Sequence, residues 1–297
     1  MELYIEKAFF DKFNDELKLD FKSKGKTVLA AILKTYGDVN LLIDYALETS
    51  EELNKFNIDF FEVIPINNPI IPVKSIKAHF FDFSKCEQTL IFSINNEDWF
   101  EEAEQKGALC FSYENFEQKI EYIITLCDNL KVDLSEDFAG WDFFRELKTI
   151  PKNEIIINDG YLFAENSGNK PVEENLIPLL KNISANHSTI KVDFFTNYMN
   201  SKKPSEFIDL DKIKRKLLNV FKSDYNLSFE YIQYHSHDRI LYSNFFLIGC
   251  GVGFNFNTSK KSNSIITVDS VFNKFNYKRI NNHIRDFKMK RLISIVQ

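Results

Sequence analysis

Between residues 88 and 130 the chain alternates short apolar runs with amphipathic segments, and this alternation constrains the fold more than any other feature. Gln88–Ile94 and Ala108–Phe111 are short apolar runs typical of buried strands. Asn96–Lys106 has a helical pattern with a capping residue at Asn96, and Gly107 follows its end. Glu114–Leu130 is a long amphipathic stretch that also predicts a helix. This succession of strand, helix, strand and helix predicts a parallel sheet covered by helices.

The second half of the chain repeats the pattern. Apolar runs at Glu154–Asn158, Thr189–Phe195 and Ile240–Ile248 predict strands, the last as one continuous strand. Basic amphipathic segments at Ile208–Lys222 and Asn276–Arg291 predict helices. The predicted fold class is therefore α/β along the whole chain.

A polar, acidic stretch followed by a proline-containing segment predicts a domain boundary near residues 135–152. We expect residues 1–150 to form an acidic, Rossmann-like α/β domain of unassigned role and residues 151–297 to form a basic α/β domain. The net charge is −6, with acidic residues in excess before about residue 200 and basic residues in excess after it. This asymmetry indicates either different partners for the two halves or attraction between them.

The N-terminus is acidic and has no apolar segment of a secretion signal, and no apolar stretch approaches the ~20 residues that span a bilayer. The four cysteines have neither CxxC pairing nor zinc-ligand spacing. We therefore expect buried free thiols in a reducing cytoplasm, no transmembrane segment, no structural metal and no cofactor.

Residues 234–256 hold the motif with the greatest chemical content, because they bring together imidazoles, an arginine, amides and closely spaced glycines. Their spacing resembles the motif of the phospholipase D superfamily, which has His-x-Lys, four residues, Asp, six residues and Gly-Ser-x-x-Asn. His237 and Arg239 stand at the positions of the His and the Lys, and Asn244 stands where the Asp is expected. The glycine, serine and asparagine that follow correspond to Gly251, Val252 and Asn255.

The His-Asp-Arg segment and its glycine-rich continuation also resemble the phospholipase D-like C-terminal domain of MIT-domain proteins. That resemblance covers about residues 153–297 and implies a single phospholipase D-like lobe. It implies a non-catalytic domain that docks on membranes as a dimer. Bacterial proteins with such a segment are similar to parts of phage-defence and mobile-element systems, which implies a nucleic-acid partner.

The residues themselves point to phosphate chemistry. On a strand edge His237 and Arg239 would share one face, with Asp238 on the other, and a guanidinium binds two phosphate oxygens at once. Asn244 and Asn255 would add neutral donors, and His235 would supply a second imidazole.

Arg in place of Lys, Asn in place of Asp and Val in place of Ser weaken the case for catalysis, because a carboxylate normally orients the catalytic imidazole. A single motif also implies that an active enzyme would be a homodimer, unless a partner protein completes the site. A buried structural pair between the Asp and the Arg of the motif is a further interpretation.

The basic C-terminal segment favours phosphate binding as well. Its candidate ligand-binding residues are Lys278, Arg279, Arg285 and Lys288. Three hypotheses follow. The first is a nucleic-acid-engaging module with a degenerate phosphate site, and the second is a metal-independent homodimeric phosphodiesterase or nuclease with His237 as nucleophile. The third is a non-catalytic module that docks on a protein or a membrane.

Overall fold

The structure, a computed structural model, describes most of the 297 residues. The described residues are 1–17, 23–45, 68–136, 138, 140–164, 170–184, 189–197, 208–221, 226–234, 237–255 and 261–296. They form a mixed α/β protein with two sheets, which confirms the predicted fold class. Among the described helices none is both long enough and apolar enough to cross a membrane.

The chain divides into two compact units, and the boundary differs from the predicted one. The first unit contains residues 1–124 and 272–278, and the second contains 125–271 and 279–297. Residues 125–150 belong to the second unit because their polar and aromatic groups are bonded there. Trp141, for example, donates its indole N–H to Asn175 Oδ1 at 3.1 Å.

The first unit has a five-stranded sheet in the order β3-β2-β1-β4-β5, with all neighbouring strands parallel. The strands are β1 (Glu2–Ile5), β2 (Asn40–Asp44), β3 (Ile70–Val73), β4 (Thr89–Ser93) and β5 (Leu109–Ser112). The helices are α1 (Lys7–Leu17), α2 (Lys24–Thr35), α3 (Ile76–Phe83), α4 (Phe100–Gln105) and α5 (Phe116–Asn129). The chain runs outward from β1 in one direction and then in the other, as in a doubly wound sheet.

Phenylalanine fills one face of this sheet. Phe92 stacks on Phe111 with ring centroids 4.7 Å apart, and Phe9 of α1 lies 5.3 Å from Phe92 and 5.2 Å from Phe116. All four rings are fully buried. Each buried aromatic side chain removes about 150–250 Å² of surface from contact with water. The burial of these four rings therefore holds α1 and α5 against the sheet. Helix α4 begins at Phe100, four residues later than predicted, because Trp99 rather than Asn96 is its capping residue.

The second unit has a seven-stranded sheet in the order β6-β12-β11-β10-β7-β8-β9. The strands are β6 (Lys131–Asp133), β7 (Glu154–Asn158), β8 (Thr189–Thr196), β9 (Asn226–Gln233), β10 (Ile240–Ser243), β11 (Phe246–Cys250) and β12 (Ile265–Ser270). Strands β7, β8 and β9 are parallel, whereas β6, β10, β11 and β12 pair antiparallel. The helices are a 3-10 helix (Trp141–Thr149), a π-turn (Val172–Leu176) that runs into α6 (Ile177–Ile183), α7 (Leu210–Phe221) and α8 (Lys274–Val296).

The predicted continuous strand 240–248 is wrong, because the chain turns at Asn244 and forms the β10–β11 hairpin. Both arms are apolar and buried, and the polar interruption between them is only two residues long. The signal that was missed is Ser243-Asn244, a pair of residue types that favour turns. The four cysteines are buried free thiols, as predicted.

Helix α8 packs on one face of the second sheet. Phe287 contacts Phe195 with centroids 4.9 Å apart, and Arg291 pairs with Glu154 and with the buried carboxylate of Asp193. Closer to its start, Arg279 pairs with Asp269 of β12. These contacts lie along the helix, so they fix its side chains against β7, β8 and β12.

Candidate anion-binding site

A concave site of about 370 Å³ lies in the second unit, where the loop before β10 meets α8 and the face of β11 and β12. We call it the arginine cavity. Its polar lining consists of His237, Asp238, Arg239, Thr267, Arg279 and His283. The structure therefore places the predicted His237–Arg239 segment together with one predicted C-terminal cation, Arg279.

The floor of the arginine cavity is the sheet itself. Ile240, Gly249 and Thr267 are direct partners across three antiparallel strands, so they share one face. Gly249 has no side chain, and a β-carbon there would meet only Thr267 Oγ1, at 3.5 Å. Because the middle residue of this row has no side chain, there is room for a ligand above the sheet at that position.

Arg239 has one edge of its guanidinium available. Its Nη1 donates to the carbonyl of Gly251 at 3.0 Å and, over a longer distance of 3.5 Å, to that of His237. Among the described residues, Nε and Nη2 have no hydrogen-bond acceptor. These two nitrogens form a planar edge that binds two oxygens of a phosphate or carboxylate. The main chain thus positions Arg239 and leaves its bidentate edge for a ligand.

Asp159 holds the loop beside Arg239. Its carboxylate is almost fully buried and accepts hydrogen bonds from the N–H groups of Tyr161 at 2.9 Å and Phe254 at 2.7 Å. Burial raises the pKa of Asp159, while the two N–H groups and the nearby Arg239 charge act in the opposite direction. Asp159 therefore ties the turn after β7 to residues 253–255.

His283 is a site residue that the sequence did not identify. It is half-buried on α8, and burial lowers the pKa of its imidazole below the ordinary value. Asp238 acts to raise that pKa and Arg279 acts to lower it, so both lie within electrostatic range. The signal in the sequence is the four-residue spacing from Arg279, which puts the two side chains on one helix face.

Asp238 lines the arginine cavity too, instead of facing away from His237 and Arg239 as predicted. The prediction placed residues 237–239 on a strand, but β10 begins at Ile240 and the three residues form a loop before it. The carbonyl of Asp238 accepts a hydrogen bond from Asn158 Nδ2 at 2.9 Å. The alternation of strand side chains therefore does not apply to this segment.

Asn244 does not join this group, which corrects its predicted role as a donor to phosphate. It follows the end of β10, whereas Arg239 precedes the start, so the whole strand separates them. Its Oδ1 accepts from the N–H groups of Asn153 and Glu154, both at 3.2 Å, and its Nδ2 donates to Asn153 Oδ1. Asn244 is a buried tie between the hairpin and β7.

The side chain of Asn255 likewise makes hydrogen bonds to the main chain. Its Nδ2 donates to the carbonyls of Tyr161 at 2.9 Å and Ala164 at 2.7 Å, and the residue is buried. Both hydrogens of the amide are used in these bonds. The predicted role of Asn255 as a donor to phosphate is therefore replaced by a role in closing the loop.

The other predicted residues lie away from the arginine cavity or outside the described residues. Predicted His235 falls outside them, and Lys278 belongs to the first unit. Arg285 and Lys288 are on α8 but do not line the cavity. They follow Arg279 by six and nine residues, which turns them to other sides of the helix.

The described lining has two arginines, two imidazoles and one carboxylate, and Arg279 is also paired with Asp269 outside the lining. Such a site suits an anion with several oxygens. Among the described residues no group of three or more His, Cys, Asp or Glu side chains is arranged to hold a metal ion. No protein-family model matches the chain, and no curated protein is significantly similar to it.

Proposed function

We propose that this protein engages nucleic acid by binding a backbone phosphate in the arginine cavity. The observation that carries the proposal is the open Nε–Nη2 edge of Arg239 in a concave site shared with Arg279. Arginine suits this task because its planar edge matches two phosphate oxygens. The main-chain bonds of Arg239 and the pairing of Arg279 with Asp269 hold both cations before a ligand arrives.

A polymer is favoured over a small anion because the cavity is open and further cations lie on the same helix. Arg285 and Lys288 lie on other sides of this helix, outside the lining, where their positive charge attracts a polyanion without reading its sequence. The broader assignment, a phospholipase D-like module of a bacterial phage-defence or mobile-element system, is part of the proposal and rests on the resemblance of the His-Asp-Arg segment.

A gel-shift assay on labelled single- and double-stranded DNA and RNA tests the proposal, with EDTA present. We expect a shift that weakens steeply as salt is raised. Arg239→Gln should reduce the shift. The matched control is Arg145→Gln, because Arg145 is exposed, pairs with the exposed Asp142 and lies outside the cavity. Absence of a shift with all four probes, or equal shifts for both variants, would contradict the proposal.

A second candidate is a metal-independent phosphodiesterase, and the observation in its favour is the presence of His237 and His283 in one cavity. In this scheme a nitrogen of His237 attacks phosphorus and forms the N–P bond as the P–O bond to the leaving oxygen breaks. Protonated His283 gives its proton to that oxygen. Water then attacks phosphorus and releases His237, while neutral His283 takes the proton from the water.

This candidate requires both imidazoles in a single chain and removes the need for a homodimer. Its test is a cleavage assay with EDTA on the same nucleic acids. Cleavage that persists in EDTA and is lost in both His237→Ala and His283→Ala supports an enzyme. A shift without cleavage would support the binding function and contradict the phosphodiesterase.

A further inference from the structure

The first unit contains a second cavity, of about 230 Å³, at the carboxyl ends of β1, β2 and β4. We call it the switch-point cavity. The strand order reverses direction between β1 and β4, and open α/β sheets bind ligands in the crevice at such a point. The residues there differ in charge from one side to the other, which defines the chemistry of a ligand.

One side carries more hydrogen-bond acceptors than donors. Ser93 at the end of β4 is buried, and its hydroxyl lies 2.7 Å from Glu6 Oε2 and 3.1 Å from Glu97 Oε1. A hydroxyl has one hydrogen, so it serves one of the two carboxylates at a time, and Glu6 Oε2 also accepts from the N–H of Ile94 at 2.6 Å. Asp44 adds a third carboxylate, whose pKa is raised by burial and, to a smaller extent, by the charge of Glu6. This side therefore presents carboxylate oxygens to which the hydroxyl groups of a ligand can donate.

The other side carries donors and positive charge. Lys74 is exposed, and among the described residues its ammonium has no hydrogen-bond or ion-pair partner. Ser75 caps α3 by accepting from Ala78 N, which leaves the N–H groups of Ile76 and Lys77 without an acceptor inside the helix. Free N–H groups at the start of a helix and a lysine beside them favour an anion.

The start of α1 is closed to an anion, in contrast to that of α3. Asp44 Oδ1 accepts from the N–H of Lys7 at 2.5 Å, so a carboxylate already occupies that helix terminus. Glu6 follows β1 where a dinucleotide-binding fold has glycines that let phosphates approach. An anionic group in this cavity is therefore directed to α3 and Lys74.

We propose that the switch-point cavity binds a phosphorylated sugar, either free or as part of a mononucleotide. The hydroxyls of the sugar donate to Asp44, Glu6 and Glu97, and the phosphate binds Lys74 and the first N–H groups of α3. Pockets for drug-sized ligands are about 300–1,000 Å³, so a cavity of 230 Å³ suits a ligand smaller than these. The proposal does not depend on the function proposed for the arginine cavity.

Isothermal titration calorimetry of the full chain tests it, with ribose 5-phosphate and adenosine 5′-monophosphate as the two sources of the ligand. We expect at least one of them to bind at least tenfold more tightly than inorganic phosphate or adenosine. Lys74→Ala should weaken binding tenfold or more, and Asp44→Asn should weaken it while the amide oxygen still accepts from Lys7 N. Lys34→Ala is the matched control, because Lys34 is an exposed lysine outside the cavity.

Arg239→Gln separates the two cavities. If the sugar phosphate binds as proposed, this variant keeps wild-type affinity. Binding that is lost in Arg239→Gln and kept in Lys74→Ala would place the ligand in the arginine cavity and overturn the proposal. Failure of both ligands to bind, or inorganic phosphate binding as tightly as ribose 5-phosphate, would overturn it too.

Discussion

Asp159 and Arg239 converge on Gly253. A β-carbon on that glycine would lie 2.6 Å from Asp159 Oδ2 and 2.9 Å from Arg239 Cδ. The backbone at Gly253 also has a φ of +90°, a conformation that residues with a side chain rarely adopt. The glycine therefore allows the buried carboxylate, the loop and the arginine to lie against one another, and it links the fold of the loop to the position of the guanidinium.

Gly253→Ala should destabilise the protein by about 1–3 kcal/mol and weaken nucleic-acid binding, because the new methyl group must displace Asp159 or Arg239. Urea unfolding and a binding titration of the folded variant measure the two effects. Gly37→Ala is the control, since a β-carbon at Gly37 meets nothing within 4 Å. An alanine at 253 that changes neither stability nor affinity would contradict the role given to this glycine.

Asn244→Ala should lower stability and leave binding unchanged. The substitution removes the acceptor for the N–H groups of Asn153 and Glu154, and a buried group left unpaired costs about 1–3 kcal/mol. Urea unfolding gives the change in the free energy of unfolding, and the affinity for nucleic acid is measured where the variant is folded. Weakened binding with unchanged stability would restore Asn244 to the phosphate site.

Nucleic-acid binding should strengthen as the pH falls from about 7 to 5. Burial lowers the pKa of His283, so its imidazole becomes positive only in more acid solution than an ordinary histidine does. Arg279 and Lys290 oppose that charge, Asp238 and Asp286 favour it, and a bound phosphate would favour it further. His283→Gln should flatten this pH dependence, measured by anisotropy titration. A profile identical to that of wild type would exclude His283 from the site.

Stability should rise with pH above neutrality because of Lys152. Its side chain is fully buried, and burial lowers its pKa from 10.5 to about 7, although Nζ donates to the carbonyls of Leu147 and Ile150. The unfolded chain then binds more protons than the folded one between about pH 7 and 10.5, so the free energy of unfolding increases with pH in that window. Below about pH 7 both states are charged and the contribution is constant.

Lys152→Met provides the comparison. The stability of wild type relative to this variant should increase by a few kcal/mol between about pH 7 and 10, since each pKa unit corresponds to about 1.4 kcal/mol. Urea unfolding at several pH values measures the difference. A difference that stays constant across the window would show that Lys152 keeps its charge in the folded protein.

Periodicity was enough to predict the α/β class and most strands, because Glu154–Asn158 and similar runs are apolar along their whole length. The motif spacing also predicted that His237 and Arg239 share one site. It failed for Asn244, because spacing measures distance along the chain and a hairpin places that residue at the far end of β10. His283 was missed because its proximity to Asp238 depends on how α8 packs on the sheet, which no local pattern describes.

The affinity of the double variant Arg239→Gln/Arg279→Gln for a labelled single-stranded oligonucleotide tests the central claim most directly. Fluorescence anisotropy at low salt with EDTA gives the Kd of wild type, the double variant and Arg145→Gln. We predict that the double variant binds at least tenfold more weakly and has a shallower salt dependence, because two phosphate contacts are lost. Arg145→Gln should bind like wild type. Equal affinities for all three proteins would contradict the assignment of the arginine cavity as the phosphate site.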